Sequence, residues 1–389
     1  MPRRKVQAMA TMGEPQSAMS ILELFAQLED PRVDRTKGYQ LDEILFLVLC
    51  GVLSGLNYLT DIEDFGNAKL EWLRQFLPYE NGIPSHDTLG RVLGMLNPDA
   101  LEQMFASWMA ATSAAVEGVV AIDGKTLRGA IKRGNSRSFV HMVSAFASAN
   151  SVVLGQVKTA EKSNEIEAIP RLLELLHLEG AIVTIDAIGC QHTILDQIVA
   201  AGGDYVVAVK KNQPTLYHDV SASFEEVDEA QSDAFLSTGE TSEKGHGRVE
   251  HRVCQTLCAE NMLEDAEKWK SAKTLIRVTS KRTARSSDDT SCRLFISSIP
   301  ELDAAAALKH VRSHWLVENN LHWSLDVSFR EDDCRVCAEN AAENLVVVRH
   351  IALNLLRSVQ GLSGGVASKR QKCAYSDDAR EKVLCAGVK

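Results

Sequence analysis

A mixed α/β fold preceded by an all-α N-terminal domain is what the sequence predicts, on three observations. From Ser20 to about Ala115, apolar residues recur at helical spacing. Beyond Glu117 the texture changes to short apolar runs separated by Gly, Asn and Ser, the pattern of strands and turns. Two of those runs then end on an aspartate. Val119-Val120-Ala121-Ile122 leads into Asp123, and Ile182-Val183-Thr184-Ile185 leads into Asp186.

The elements follow in order. Residues 1–19 read as a disordered leader. Ile21, Leu22, Leu24 and Phe25 form a short amphipathic helix closed by Asp30-Pro31. Asp42-Glu43 opens an apolar helix from Ile44 to Leu53. Pro84-Ser85-His86-Asp87 caps Thr88 to Leu96, and Asp99 to Ala115 makes another helix. This helical domain, 20–116, is of a size suited to DNA recognition and equally to a packing role.

Val119 to Ile122, Phe139 to Ala147 and Val152 to Val157 are three successive strands. A helix with Pro170 in its first turn follows, then the strand Ile182 to Ile185, the helix Thr193 to Ala201 and the strand Tyr205 to Val209. Three consecutive strands and then alternating helix and strand is the order of an RNase H-like sheet. Residues of about 220–300 read as a polar loop and further strands (Val249 to Leu257, Thr274 to Val278, Arg293 to Ile296), a β-rich insertion before a last helix. The catalytic domain is thus placed at 117–360 and a basic C-terminal tail at 361–389.

Bulk composition narrows the function. A hydrophobic share of 45% and a charged share of 24% are those of a soluble globular protein, and a net charge of −10 argues against one that coats DNA indiscriminately. The longest apolar run, Ile44 to Leu53, is about half of the ~20 residues that a membrane helix needs. No secretory signal pattern opens the sequence, so the expected location is cytoplasmic. The nine cysteines are scattered, and neither Cys334/Cys337 nor Cys254/Cys258 has the setting of a zinc site, so reduced thiols are expected. Charge is uneven: five bases accompany Asp123 between Gly118 and Val140, while Ser221 to Glu243 holds seven acids and no base, reading as a solvated loop or helix face.

An aspartate at the exit of a buried strand is costly unless a cation meets it. Glu318 adds a third carboxylate, on a stretch where Leu308, Val311, Trp315, Glu318 and His322 share helical spacing. Asp326, Glu331, Asp332 and Asp333 compete with it for that role. Each acid alone has a plainer reading, since Asp-Gly is a common hairpin turn, Asp often opens a helix and a helical Glu is usually solvated. Together, Asp123, Asp186 and Glu318 suit Mg²⁺, with Mn²⁺ as a substitute, for phosphoryl transfer on nucleic acid. Lys125, Arg128, Lys210 and Lys211 are placed to neutralise flanking phosphates. His246 and Arg248, in Gly245-His246-Gly247-Arg248, could reach a phosphate or form a structural turn. Trp315 and Trp323, at helical spacing, read as core rather than as base-stacking platforms.

At these residues the sequence resembles insertion-sequence DDE transposases of the H-repeat-associated type, from about Leu22 to the C-terminus. The resemblance rests on Leu28-Glu29-Asp30-Pro31-Arg32, Gly82-Ile83-Pro84-Ser85-His86-Asp87-Thr88, Ala121-Ile122-Asp123-Gly124-Lys125 and Lys162-Ser163-Asn164-Glu165-Ile166. It continues through Asp204 to Lys210, Gly245 to Glu250 and His314 to Trp323. It implies an RNase H-like core with Asp123, Asp186 and Glu318 as metal-binding triad, and a dimer or larger homo-oligomer on DNA. It also implies cleavage at the element's terminal inverted repeats and strand transfer into target DNA. In the wider superfamily a Tyr, an Arg and a Lys accompany the Glu; here Val311, His314 and Leu325 stand in those places, and His314 is counted among the candidate DNA-binding residues. The alternatives are an RNase H-like nuclease without strand transfer and a DNA-binding protein whose catalysis has decayed.

Overall fold

The computed structural model describes residues 21–112, 118–127, 140–159, 164–230, 235–245, 248–284, 287–336 and 338–386. The leader expected at 1–19 lies outside them, as do Arg128 and His246 and the side chain of Arg248.

The first helices are α1 (Ile21–Phe25), α2 (Leu41–Leu53), α3 (Leu59–Leu73), α4 (His86–Met95) and α5 (Pro98–Thr112). In α2, Gln40 and Glu43 form a reciprocal capping box, and every later residue of the helix is buried. Ser85 caps α4 by accepting the Thr88 N–H. Helix α3 was not expected: only Ile62, Gly66, Trp72 and Leu73 are buried, too sparse a stripe to read.

Among the described residues nine strands build one sheet: β1 (Gly118–Leu127), β2 (Val140–Ala147), β3 (Val152–Thr159), β4 (Ala181–Ile185), β5 (Asp204–Val209), β6 (Ser237–Gly245), β7 (Arg248–Cys258), β8 (Thr274–Ala284) and β9 (Ser287–Ser297). Their order is β3-β2-β1-β4-β5-β9-β8-β7-β6. Strands β1 to β3 are antiparallel neighbours, whereas β4 runs parallel to β1 and β5 parallel to β4. Between the strands lie α6 (Glu165–Glu174), α7 (His192–Ala200) and α8 (Pro214–Glu229). The acidic stretch is therefore partly helix, with Leu216, Val220, Phe224 and Val227 buried and the acids outward. The expected insertion is no separate body: β9 pairs with β5, so β6 to β9 extend the same sheet.

The chain continues through α9 (Ala304–His314), a widened helical stretch (Val317–His322 and Ser324–Ser328), and α10 (Ala341–Ser358). Helix α10 is buried without interruption from Ala341 to Leu356, the signature of a helix enclosed on all sides. Two of its asparagines bond to the two halves of the molecule. Asn344 donates to Leu93 O and Leu96 O, at 2.7 and 2.9 Å. Asn354 accepts from Val153 N at 2.9 Å and donates to Val153 O at 2.8 Å. One apolar core accordingly crosses the expected boundary at 116–117.

The expected basic C-terminal tail, 361–389, is described as far as Ala386. Within the described residues it folds as α11 (Val366–Tyr375) and α12 (Asp377–Leu384), where Arg380 is fully buried and stacks on Trp72 and Phe65 at 4.2 and 4.9 Å. A guanidinium above aromatic faces, paired with Asp377, can be buried where a free one cannot.

Candidate active site

The register of β1 and β4 fixes the first two carboxylates. Ile122 lies opposite Ile185, so Asp123 and Asp186, each one residue further, emerge side by side from adjacent parallel strands. Adjacent strands are ~4.8 Å apart, so both acids share one edge. Each is anchored by a local backbone bond: Asp123 Oδ1 accepts from Gly124 N and Asp186 Oδ1 from Ile188 N, both at 2.9 Å.

These aspartates open onto a cavity of about 630 Å³ whose wall also includes Glu318, Lys210, Lys211, His314 and Trp315. Burial pushes the Asp123 carboxyl up to about 7, and the neighbouring Glu318, Asp186 and Glu165 add to the effect. Burial among other carboxylates raises a carboxyl's proton affinity where no cation offsets it. Among the described residues no three His, Cys, Asp or Glu side chains are gathered tightly enough to form a finished metal cage. The three acids line one cavity, with Glu318 exposed on its wall.

Glu318 is not where the helical stripe predicted. After α9 the helix widens: Trp323 N–H bonds to Glu318 O and Phe329 N–H to Ser324 O, each five residues back. The extra residue per turn rotates the later side chains. Leu308 and Val311 stay buried, whereas Trp315 and Trp323, read as core, are 39% and 56% exposed. Such widened turns recur at functional sites. Trp315 lies beneath the guanidinium of Arg293, 5.0 Å from its ring.

The expected phosphate contacts separate. Lys210 and Lys211 are exposed on the cavity wall. His314 also lines it, within 3.2 Å of Thr184 Oγ1, and burial holds its imidazole below the usual pKa against the pull of Asp186. Lys125 is a correction. Its ammonium is 2.5 Å from Asp326 and 2.7 Å from Glu331, and the side chain is 11% exposed, so it faces acids inside the protein rather than open phosphate. Gly245 pairs with Arg248 at the end of the β6–β7 ladder.

Two contacts escaped sequence reading. His322 Nδ1 stands 3.7 Å from Asp123 Oδ2. His141 Nε2 meets Glu165 Oε1 at 2.6 Å while its Nδ1 meets Thr126 Oγ1 at 2.7 Å. A Cβ at Gly124 would fall 2.5 Å from both Glu165 Oε1 and His141 Nε2, so the glycine of the Asp-Gly pair allows this close approach. A glycine directly after a candidate acid was the available signal.

With this geometry in hand, the family match and the sequence relatives define a class. The transposase DDE domain matches residues 114–355, and its associated N-terminal module matches residues 22–109. The chain belongs to the DDE transposase family. It is 40% identical over 377 residues to "Putative transposase YncI" of Escherichia coli O157:H7, covering 95% of each. It is 38% identical to "H repeat-associated putative transposase YhhI" of Escherichia coli strain K12, covering 94% of this chain and 97% of that one. Among solved structures, a piggyBac transposase synaptic complex with hairpin DNA is similar at a TM-score of 0.42 and 11% identity, covering 93% of this chain and 80% of that one. No helix among the described residues is long and apolar enough to cross a membrane.

Proposed function

We propose that this transposase is a divalent-metal-dependent polynucleotidyl transferase that cuts at the ends of its own insertion sequence and joins the freed 3′ ends to target DNA. The observation carrying this reading is the β1–β4 register, which delivers Asp123 and Asp186 side by side to a cavity shared with Glu318. The strand order, three antiparallel strands followed by parallel β4 and β5, supports an RNase H-like core, with the helices of 20–116 as an N-terminal DNA-binding module.

The residues present fit Mg²⁺ or Mn²⁺. All three donors are carboxylates, as hard cations prefer, and Asp123 sits among acids with its proton affinity raised. Asp123 would hold the metal from the middle of β1, Asp186 from the exit of β4 and Glu318 from the widened helix. When bound, the metal activates a water or 3′-hydroxyl and stabilises the leaving oxygen. Lys210 and Lys211 receive the phosphates beside the scissile one, and Trp315 offers an aromatic face for a base at the cavity rim. His314, neutral at pH 7, donates or accepts a hydrogen bond without competing for the metal's charge. Two element ends must be processed together, which calls for a dimer or larger assembly on DNA.

The test is cleavage and joining with an oligonucleotide carrying the terminal inverted repeats of the element. Metal-dependent nicking at the repeat boundary, with donor ends recovered in a supercoiled target, supports the transposase. Nicking without joining would leave a nuclease. DNA binding with no cleavage in either metal would leave a decayed copy.

A further inference from the structure

We infer that Lys125 is a positioning residue for the carboxylate site, clamping the chain that leaves Glu318 against the strand that bears Asp123. The inference rests on the metal-dependent reading above. Lys125 is two residues beyond Asp123 in β1, so the two side chains leave the same face of the strand. Its Nζ is 2.5 Å from Asp326 Oδ1 and 2.7 Å from Glu331 Oε2. Glu331, 1% exposed, also lies 3.6 Å from Arg349 Nη1 on α10, whose side chain is 3% exposed. Two cations and two anions thus balance, with Glu331 and Arg349 buried and Asp326 at the solvent edge. Arg330, directly before Glu331, adopts a left-handed conformation at φ 51°.

A buried ionic cluster of this kind contributes little net stability compared with apolar packing, so its use lies in fixing geometry. Geometry needs fixing here. Between Glu318 and Phe329 the backbone runs in widened turns with five-residue bonds, outside the regular α ladder. Asp326 and Glu331 flank the end of that stretch, and Lys125 is their common partner on β1. Through Arg349 the clamp reaches α10, the helix that Asn344 and Asn354 fasten to both halves of the core. The spacing between Asp123 and Glu318 is set by this tie, and an ammonium already facing two carboxylates has no role on a DNA phosphate.

The experiment compares full-length wild type with Lys125→Gln and Asp326→Asn in two titrations. Mn²⁺ binding without DNA is followed by the electron paramagnetic resonance of free Mn²⁺. DNA affinity without metal is followed on a labelled duplex across a range of NaCl. The expected result is Mn²⁺ binding weakened about tenfold or more by Lys125→Gln, as when other supports of a metal ligand are removed, with the salt slope of DNA binding unchanged. Asp326→Asn, on a side chain 39% exposed and therefore safe for folding, shifts Mn²⁺ binding in the same direction if Lys125→Gln fails to fold. A salt slope reduced by about 0.9 with Mn²⁺ binding intact would make Lys125 a phosphate ligand and overturn the inference. Variants that melt earlier yet bind Mn²⁺ as wild type does would reduce the clamp to ordinary packing, leaving the metal reading standing. A wild type that binds no Mn²⁺ would take both readings down.

Discussion

His322 Nδ1 lies 3.7 Å from Asp123 Oδ2, bringing the widened helix of Glu318 against the aspartate midway along β1. Burial drives the His322 imidazole down to about 4, with the Lys125 ammonium next in effect, so at neutral pH it meets Asp123 as an uncharged ring. A neutral imidazole orients a carboxylate without cancelling the charge that a metal needs. His322→Ala should therefore lower the cleavage rate by about 10- to 100-fold, the usual effect of losing a group that orients a metal ligand. Equal duplex affinity for variant and wild type, measured by fluorescence anisotropy, would separate orientation from DNA binding.

Asp123 makes stability depend on pH in a direction that can be worked out. Its folded pKa, about 7, is above the unfolded value of 3.8, so the native state holds the proton more tightly. Stability contributed by the protonated form is lost as pH rises from about 4 to about 7, by up to ~1.4 kcal/mol per pH unit. Asp123→Asn cannot lose that proton. In metal-free buffer the variant should melt above wild type at pH 8, with the difference shrinking toward pH 4. Scanning calorimetry across that range checks the sign.

His350 works in the opposite direction. Burial holds it down to about 3, and it is packed beside Phe105 with neither ring nitrogen hydrogen-bonded. The unfolded chain takes a proton near 6.5 that the folded one refuses, so stability falls as pH drops through that value toward 3. His350→Leu should resist acid better than wild type, with its acid-unfolding midpoint moved to lower pH. Circular dichroism along an acid titration is the measurement.

The C-terminal helices yield a prediction that composition would have missed. Arg380 is buried between Trp72 and Phe65, and Trp72 Nε1 donates to Glu381 at 2.9 Å. Arg380→Ala should cost about 2–4 kcal/mol, since the aromatic stack and the Asp377 pair are lost together. A basic DNA-binding tail would instead show unchanged melting and a weaker salt dependence of duplex binding.

What could be read from the sequence follows from where the signal is stored. Strands β1 and β4 were legible because buried parallel strands are continuous apolar runs, and each run stops at its aspartate. Strand β6 was not legible: Ser237–Gly245 is polar throughout, and its strand character comes from pairing with β7. The residues after His314 misled because helical spacing assumes one continuous helix at 3.6 residues per turn, whereas α9 ends at His314 and widened turns follow from Val317, with Trp315 and Trp323 left exposed. Lys125 misled for a different reason. A lysine beside a candidate acid suggests phosphate, while its true partners, Asp326 and Glu331, are distant in sequence and close only in the fold.

The most direct test of the shared carboxylate site is calorimetric titration of Mn²⁺ into wild type, Asp123→Asn, Asp186→Asn and Glu318→Gln, paired with oligonucleotide nicking by each. The account predicts that wild type binds Mn²⁺ and nicks, and that each substitution weakens binding and abolishes nicking. A Glu318→Gln protein that binds Mn²⁺ and nicks as wild type does would contradict it.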